Sequence, residues 1–279
     1  MSGENTCAIF FSGGTDSTCV SALMAERFRE LHLLTFTRHG ISYAEHSQKA
    51  AQALRQKFPG TRFVHKIIST NRLFEYTAYH DYLRSLLRYG YYMLSSCTFC
   101  SLSWHARMAA YCLDNGITHA ADGITRELLH YGGHMDANLK AAREFYARLG
   151  IEYENPVRNW DIPPSTQFIN KITQDYDTPQ MSDPDKLGRT TGRYLYEHGL
   201  MPSPDIKGSR LDQAMQIRCF DFFLYNMMVF WLQLSRKDYG TFEKDMHELY
   251  RDKLSQFEKL LNEYKKDGPG SRMARLLEK

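Results

Sequence analysis

Two short stretches carry residues whose types and spacing could do chemistry. The first, Ser12-Gly13-Gly14-Thr15-Asp16-Ser17-Thr18, follows directly on the apolar run Ala8-Ile9-Phe10-Phe11. Two glycines let the backbone turn tightly and present its N–H groups. The hydroxyls of Ser12, Ser17 and Thr18 add donors, and the start of a following helix favours an anion. The chemistry this suits is phosphate binding. The pattern S-G-G-x-D-S fixes several positions at once, and a chain of this length meets it by chance about a few times in ten thousand. It is not a Walker A loop, because no G-K-[ST] follows. The second stretch, Ser95-Ser96-Cys97-Thr98-Phe99-Cys100, sets two cysteines in a C-x-x-C. At that spacing both sulfurs reach one metal or one another.

The elements that must position these residues alternate in type. Ala8–Phe11 reads as a short buried strand and Ser17–Phe28 as a helix. Leu31–Thr37 reads as a second strand, Tyr43–Phe58 as an amphipathic helix stopped by Pro59-Gly60, and Arg62–Ser69 as a third strand. Ser101–Asn115 reads as a helix closed by Gly116, Ile117–Gly123 as a fourth strand, Ala137–Gly150 as a helix and Ile151–Val157 as a fifth strand. Such alternation predicts an α/β fold with a parallel five-stranded sheet and helices on both faces. Ligands of these sheets sit at the carboxyl ends of the strands. That edge holds Ser12–Thr18, Thr35–Arg38 and Asp122-Gly123.

The expected division is a nucleotide-side domain over residues 1–160 and a loop-rich, helical C-terminal region over 161–279 packing on it. Beyond Trp160 the Pro-, Asp- and Ser-rich stretches Asp161–Gln167 and Asp177–Gly188 read as loop with a short helix between them. Thr191–Leu200 reads as a short helix and Met201–Arg210 as loop. From Leu211 the chain reads as helical, with interruptions at Tyr239-Gly240 and Asp267–Ser271. The run Cys219–Leu234 is apolar nearly all round, which predicts burial against the sheet domain or a second subunit and makes a homodimer reasonable.

The remaining cysteines sort by context. A thiol at a helix N-terminus is shifted toward thiolate, and the C-x-x-C is expected just before the helix at Ser101. Zinc held by these two alone does not fit, since structural sites want four ligands and no second C-x-x-C exists. Cys219, beside Arg218, is either a distant partner of the pair or an inert member of the apolar helix. Cys7, Cys19 and Cys112 read as core. His105 could add a metal ligand but reads more simply as packed or solvated. His130, His134 and Asp136 read as a substrate-facing loop. Lys207 and Arg210 could meet a substrate phosphate or lie on a solvated surface. Tyrosines interleaved with arginines over Glu75–Tyr92 could stack bases or serve core and interface.

Composition narrows the partners. A net charge of +3 is too mild to announce a nucleic-acid protein. No apolar run approaches a membrane span, and Met1–Cys7 lacks the basic and apolar regions of a signal peptide. The expectation is a cytoplasmic protein with reduced thiols.

The loop resembles the PP-loop of the N-type ATP pyrophosphatases, a superfamily that includes GMP synthetase, NAD synthetase, the tRNA thiolases and the 7-cyano-7-deazaguanine synthases. The resemblance covers roughly residues 7–160. It implies an adenine nucleotide alpha hydrolase-like fold of the HUP type. It also implies ATP and Mg²⁺, adenylation of a substrate oxygen with release of pyrophosphate, and displacement of AMP by a nucleophile. Carried onto this chain, Ser12, Gly13, Gly14, Asp16, Ser17 and Thr18 would bind pyrophosphate and magnesium. Thr35, Phe36, Thr37 and Arg38 would hold the adenosine, and Asp122-Gly123 would form the later nucleotide-side turn. The tRNA thiolases suggest two uses for Cys97, Cys100 and Cys219: a [4Fe-4S] cluster with one open iron, or a persulfide with a resolving cysteine.

Together these readings imply an AMP-forming sulfurtransferase acting on a nucleobase-like carbonyl, with sulfide or a desulfurase as sulfur donor. A small nucleobase or nucleotide, as in thioguanine-type thiolation, is favoured over tRNA because no zinc ribbon or strongly basic tail is present. The alternatives are a tRNA thiolase, an amide- or nitrile-forming ligase of the 7-cyano-7-deazaguanine synthase type, and a non-catalytic ATP-binding module. A sulfonucleotide reductase on this fold would carry a C-terminal cysteine motif, and no cysteine follows Cys219.

Overall fold

β1 (Thr6–Phe10) lies at the centre of the sheet, and its sequence explains why: Cys7, Ala8 and Ile9 are wholly buried, so both faces must be covered. The computed structural model describes residues 5–163, 188–219 and 221–277, residues 221–223 by their backbone alone. β2 (Glu30–Thr37), β4 (Arg62–Ser69), β5 (His119–Ala121) and β6 (Glu152–Glu154) join β1 in a parallel sheet of order β4-β2-β1-β5-β6. β3 (Ile41–Ser42) and β7 (Arg218–Cys219) form a separate two-stranded antiparallel pair. Helices cover both faces of the main sheet, so the chain is an α/β fold with a parallel five-stranded sheet and additional C-terminal helices.

β1 pairs with β2 on one side and with β5 on the other. The strand order therefore reverses between β1 and β5, and a crevice opens at their carboxyl ends, where ligands of such sheets sit. β5 and β6 are shorter than their hydrophobic patterns suggest. Ile117, Ile151 and Val157 are buried outside the ladder, so burial alone produced a strand-like signal there.

One face is covered by α1 (Thr15–Ala25) and α2 (Ser47–Lys57), with Tyr194, Leu195, Met201 and Ile206 added from the C-terminal part. The other face carries α3 (Asn71–Tyr79), α5 (Ser96–Asn115) and α6 (Asp136–Arg148). The long helix Tyr239–Asp267 seals this second face by burying Phe242, Met246, Leu249, Phe257 and Leu260 at helical spacing. α4 (Tyr82–Tyr89), a region with no sequence assignment, leaves Leu83 and Leu87 exposed.

Several boundaries differ from the sequence reading. α5 begins at Ser96 rather than Ser101, which places Cys97 and Cys100 inside its first turns and not ahead of it. Residues 216–219 leave the helical path, and Cys219 enters β7 opposite Ile41. Tyr239 opens the long helix instead of interrupting one, because the Asp238 carboxylate accepts the Thr241 N–H and caps it. The apolar helix Asp221–Leu232 is not buried all round: Asn226, Val229 and Phe230 face inward, whereas Leu224 and Trp231 are open to solvent. Most of the Pro-, Asp- and Ser-rich stretch expected to be loop and short helix falls in 164–187, outside the described residues.

Candidate active site

The glycine loop sits where the strand order predicts. Gly13 adopts φ +82°, a conformation that favours glycine, and a Cβ there would lie 2.6 Å from the Ser47 backbone. The loop is braced from within: the Ser12 N–H donates to Ser17 Oγ at 3.2 Å and the Gly14 N–H to Ser12 Oγ at 3.3 Å. Gly123, at the end of β5, packs so closely on the loop that a Cβ would lie 2.7 Å from the Asp16 backbone.

The segment after residue 187 completes this end of the site. Thr191 Oγ1 donates to Asp16 Oδ1 at 2.6 Å. The buried Lys207 ammonium lies 2.8 Å from Asp16 and 2.9 Å from Glu127. Burial opposes its charge, but the two carboxylates more than offset that and raise its pKa. Gly14 gives α1 no side-chain cap, and Asp212 supplies one from outside, accepting from the Thr15 N–H at 3.2 Å and Thr15 Oγ1 at 2.6 Å. Glu127, Thr191 and Asp212 were missed by the sequence reading. Only Glu127 gave any signal, as the carboxylate following the Asp122-Gly123 turn.

One cavity of about 300 Å³ joins the loop to the cysteines. Ser12, Asp16, Ser17, Asp122 and Gly123 line it, and so do Cys97, Cys100 and Cys219. Aromatic side chains line it as well, with Phe36 and Trp104 stacked at 6.3 Å between ring centroids. Gly13, Gly14 and Thr18 shape the loop without lining the cavity.

Of the residues expected to hold adenosine, only Phe36 lines this space. Thr35 is buried and donates to the Phe11 carbonyl at 2.6 Å. The Thr37 carbonyl accepts from Thr70. Arg38 turns to the cysteines, its Nε donating to Cys100 Sγ at 2.7 Å. Arg210 is exposed and lies outside the cavity. His130, His134 and Asp136 do not converge: His134 lines the cavity, His130 packs on Phe230, and Asp136 accepts from Arg158 at 2.8 Å.

The environments of the titratable groups differ. Burial pushes the Cys97 thiol well up, although Asn226 Nδ2 donates to its sulfur at 3.1 Å. Cys7, Cys19 and Cys112 are wholly buried, and burial raises each thiol, that of Cys112 to about 12. Burial holds His105 and His134 down to about 3, so both are neutral near pH 7. Burial raises Asp122, against the hydrogen bonds it accepts from Tyr153 and Asn155.

At the loop Asp16, Glu127 and the serine hydroxyls offer oxygen donors of the kind magnesium takes, and in this structure both carboxylates are paired with the buried Lys207 ammonium. The cysteines do not, as placed, converge as three cluster ligands must. No group of three His, Cys, Asp or Glu among the described residues could hold a metal ion, and the Arg38 guanidinium lies against Cys100 and Cys219. No helix of the described residues is long and apolar enough to cross a membrane.

No family model and no curated protein matches the chain. Among solved structures it is similar to a predicted subunit of tRNA methyltransferase from Methanocaldococcus jannaschii, with 18% identity and a TM-score of 0.37, over 77% of this chain and 96% of that one. A likeness that loose has no bearing on function, and the fold rests on the sheet order itself.

Proposed function

We propose that the protein is an ATP-dependent, AMP-forming sulfurtransferase acting on a small nucleobase or nucleotide. One observation carries this reading: residues of the glycine loop and the three cysteines line the same cavity, so one bound acceptor could meet both an activated phosphate and a sulfur. The aromatic lining suits a planar ring, and the volume suits a small molecule.

In this reading the loop and Lys207 would hold the polyphosphate of ATP, and Asp16 and Glu127 would meet its magnesium once the phosphate takes the Lys207 ammonium from them. Bound magnesium neutralises charge on the departing pyrophosphate. The acceptor's carbonyl oxygen takes AMP from ATP. The outer sulfur of a cysteine persulfide then attacks that carbon, and AMP leaves with the oxygen. A second cavity cysteine attacks the inner sulfur, releasing the thiocarbonyl product and leaving a disulfide that a dithiol reductant reopens. The chain's contribution is to fix the partners in one pocket and to place fixed charge where pyrophosphate develops.

The test is AMP and pyrophosphate release from ATP with a persulfide donor and a pool of free nucleobases, nucleosides and nucleotides, with bulk tRNA in a parallel arm. The reading expects AMP only with the small-molecule pool and a product heavier by the exchange of oxygen for sulfur. AMP only with tRNA would replace the acceptor class, and AMP with ammonia in place of sulfur would replace the reaction.

A further inference from the structure

At the carboxyl end of β2 the chain turns Arg38 toward the cysteines. Arg38 is 5% exposed. Its Nε donates to Cys100 Sγ at 2.7 Å, and its Nη2 lies 4.0 Å from Cys219 Sγ. The guanidinium sits 4.1 Å from the centre of the Phe74 ring, and Nη1 donates to the His39 carbonyl. Those last two contacts fix the guanidinium plane and leave its Nε edge aimed at Cys100.

A guanidinium N–H touching sulfur stabilises thiolate over thiol. Cys97 meets the opposite setting three residues earlier on α5. Burial favours its protonated form and outweighs both the Asn226 amide that donates to its sulfur and the charge of Arg38. One turn of helix therefore offers two cysteines with different surroundings.

We propose that Arg38 is the positioning residue of Cys100, holding that sulfur as a thiolate at the cavity wall, and that this makes Cys100 the sulfur-accepting cysteine. The second half rests on the sulfurtransferase reading; the pairing of Arg38 with Cys100 does not. Loading needs no added oxidant. The Cys100 thiolate attacks the outer sulfur of a donor persulfide, a new S–S bond forms on Cys100, and the donor's own thiolate leaves.

Among the described residues, Arg38 touches Cys100, and Cys97, His105, His134 and Cys219 are titratable groups that line the same cavity. Asp16 and Asp122 line it too. The two histidines stay neutral above pH 6, since burial holds both near 3. Mass spectrometry separates alkylation at Cys97 and Cys219 from that at Cys100.

The experiment is residue-resolved alkylation of the full chain by iodoacetamide between about pH 6 and 10. The expected wild-type result is a Cys100 midpoint below that of Cys97. Arg38→Gln should raise that midpoint and slow Cys100 alkylation near pH 7 by about tenfold, the effect of roughly one pKa unit. Arg38→Lys should retain most of the wild-type rate. An unchanged Cys100 midpoint in Arg38→Gln would overturn the proposal. If that variant fails to fold, the wild type still decides. Beside a guanidinium, anionic iodoacetate should gain on neutral iodoacetamide at Cys100 relative to the urea-unfolded chain, and no gain would overturn the pairing. ATP takes no part in these measurements. A chain that shows the shift but never releases AMP keeps the pairing and loses the sulfurtransferase reading, and the converse result does the reverse.

Discussion

The Lys207 ammonium lies 2.8 Å from the Asp16 carboxylate, and Glu127 clamps it from the other side. A residue from the C-terminal part of the chain thus neutralises the aspartate of the glycine loop. Lys207→Met would leave two carboxylates together in a largely desolvated place. The expected cost is about 3 kcal/mol of stability, read by urea unfolding. AMP formation should fall by about a hundredfold, as for loss of a charge that stabilises a leaving group. Wild-type unfolding and wild-type turnover in this variant would contradict the role given to Lys207.

Neighbouring glycines of the loop should respond differently to alanine. At Gly13 the backbone has φ +82° and a Cβ would lie 2.7 Å from the Met215 carbonyl, so Gly13→Ala should cost about 2 kcal/mol or more. At Gly14 the obstacle is the end of the Gln216 side chain at 2.9 Å, which can rotate away. Gly14→Ala should therefore cost less than about 1 kcal/mol. Equal midpoints of denaturation for the two variants would argue against the loop geometry.

Asp212 caps α1 from outside, through the Thr15 N–H and hydroxyl, and also accepts the Gly208 N–H at 2.9 Å. Asp212→Ala leaves those buried donors without their acceptor, at an expected cost of about 1–3 kcal/mol. Because the loop then loses its brace, the KM for ATP should rise more than kcat falls. A variant with unchanged stability would show that the cap contributes nothing.

Acid should destabilise the fold through its buried histidines. Burial lowers His105 to about 3 and His130 to about 4, and both are 2% exposed. The unfolded chain binds protons at these histidines below about pH 6.5, whereas the folded chain does not until its own lower values are reached. Their stabilisation is complete above the unfolded value and is lost as pH falls toward the folded one. At pH 5 the loss is about 2 kcal/mol for each. Urea unfolding at pH 7 and pH 5 measures it, and identical stabilities would contradict the burial of neutral imidazoles. His105→Gln should flatten the dependence by its own share.

Much of the frame could be read from the chain. Parallel strands buried on both faces write near-continuous apolar runs, as in β1 and β2, and the glycine loop has a spacing that few turns share. What escaped was tertiary. Arg38 stands at the strand end where a nucleotide contact was expected, but nothing local reveals that its side chain bends to Cys100. Cys219 lies next to an apolar helix, and only its pairing with Ile41 brings it into the cavity. Glu127, Thr191, Asp212 and Asn226 gain their roles from partners far along the chain, which no periodicity encodes. The exposed Trp231 shows the same limit, since an apolar run does not say which of its faces is covered.

The central claim is that the loop and the cysteines act on one acceptor in one cavity. It is tested most directly by following AMP and thiolated product together, from ATP, a persulfide donor and the small nucleobase pool, in the wild type, Asp16→Ala and Cys100→Ser. The account predicts equal amounts of AMP and thiolated product in the wild type. It predicts loss of both in Asp16→Ala, and loss of thiolated product in Cys100→Ser with ATP binding retained. Full thiolation by Cys100→Ser, or no AMP from the wild type with any acceptor, would contradict it.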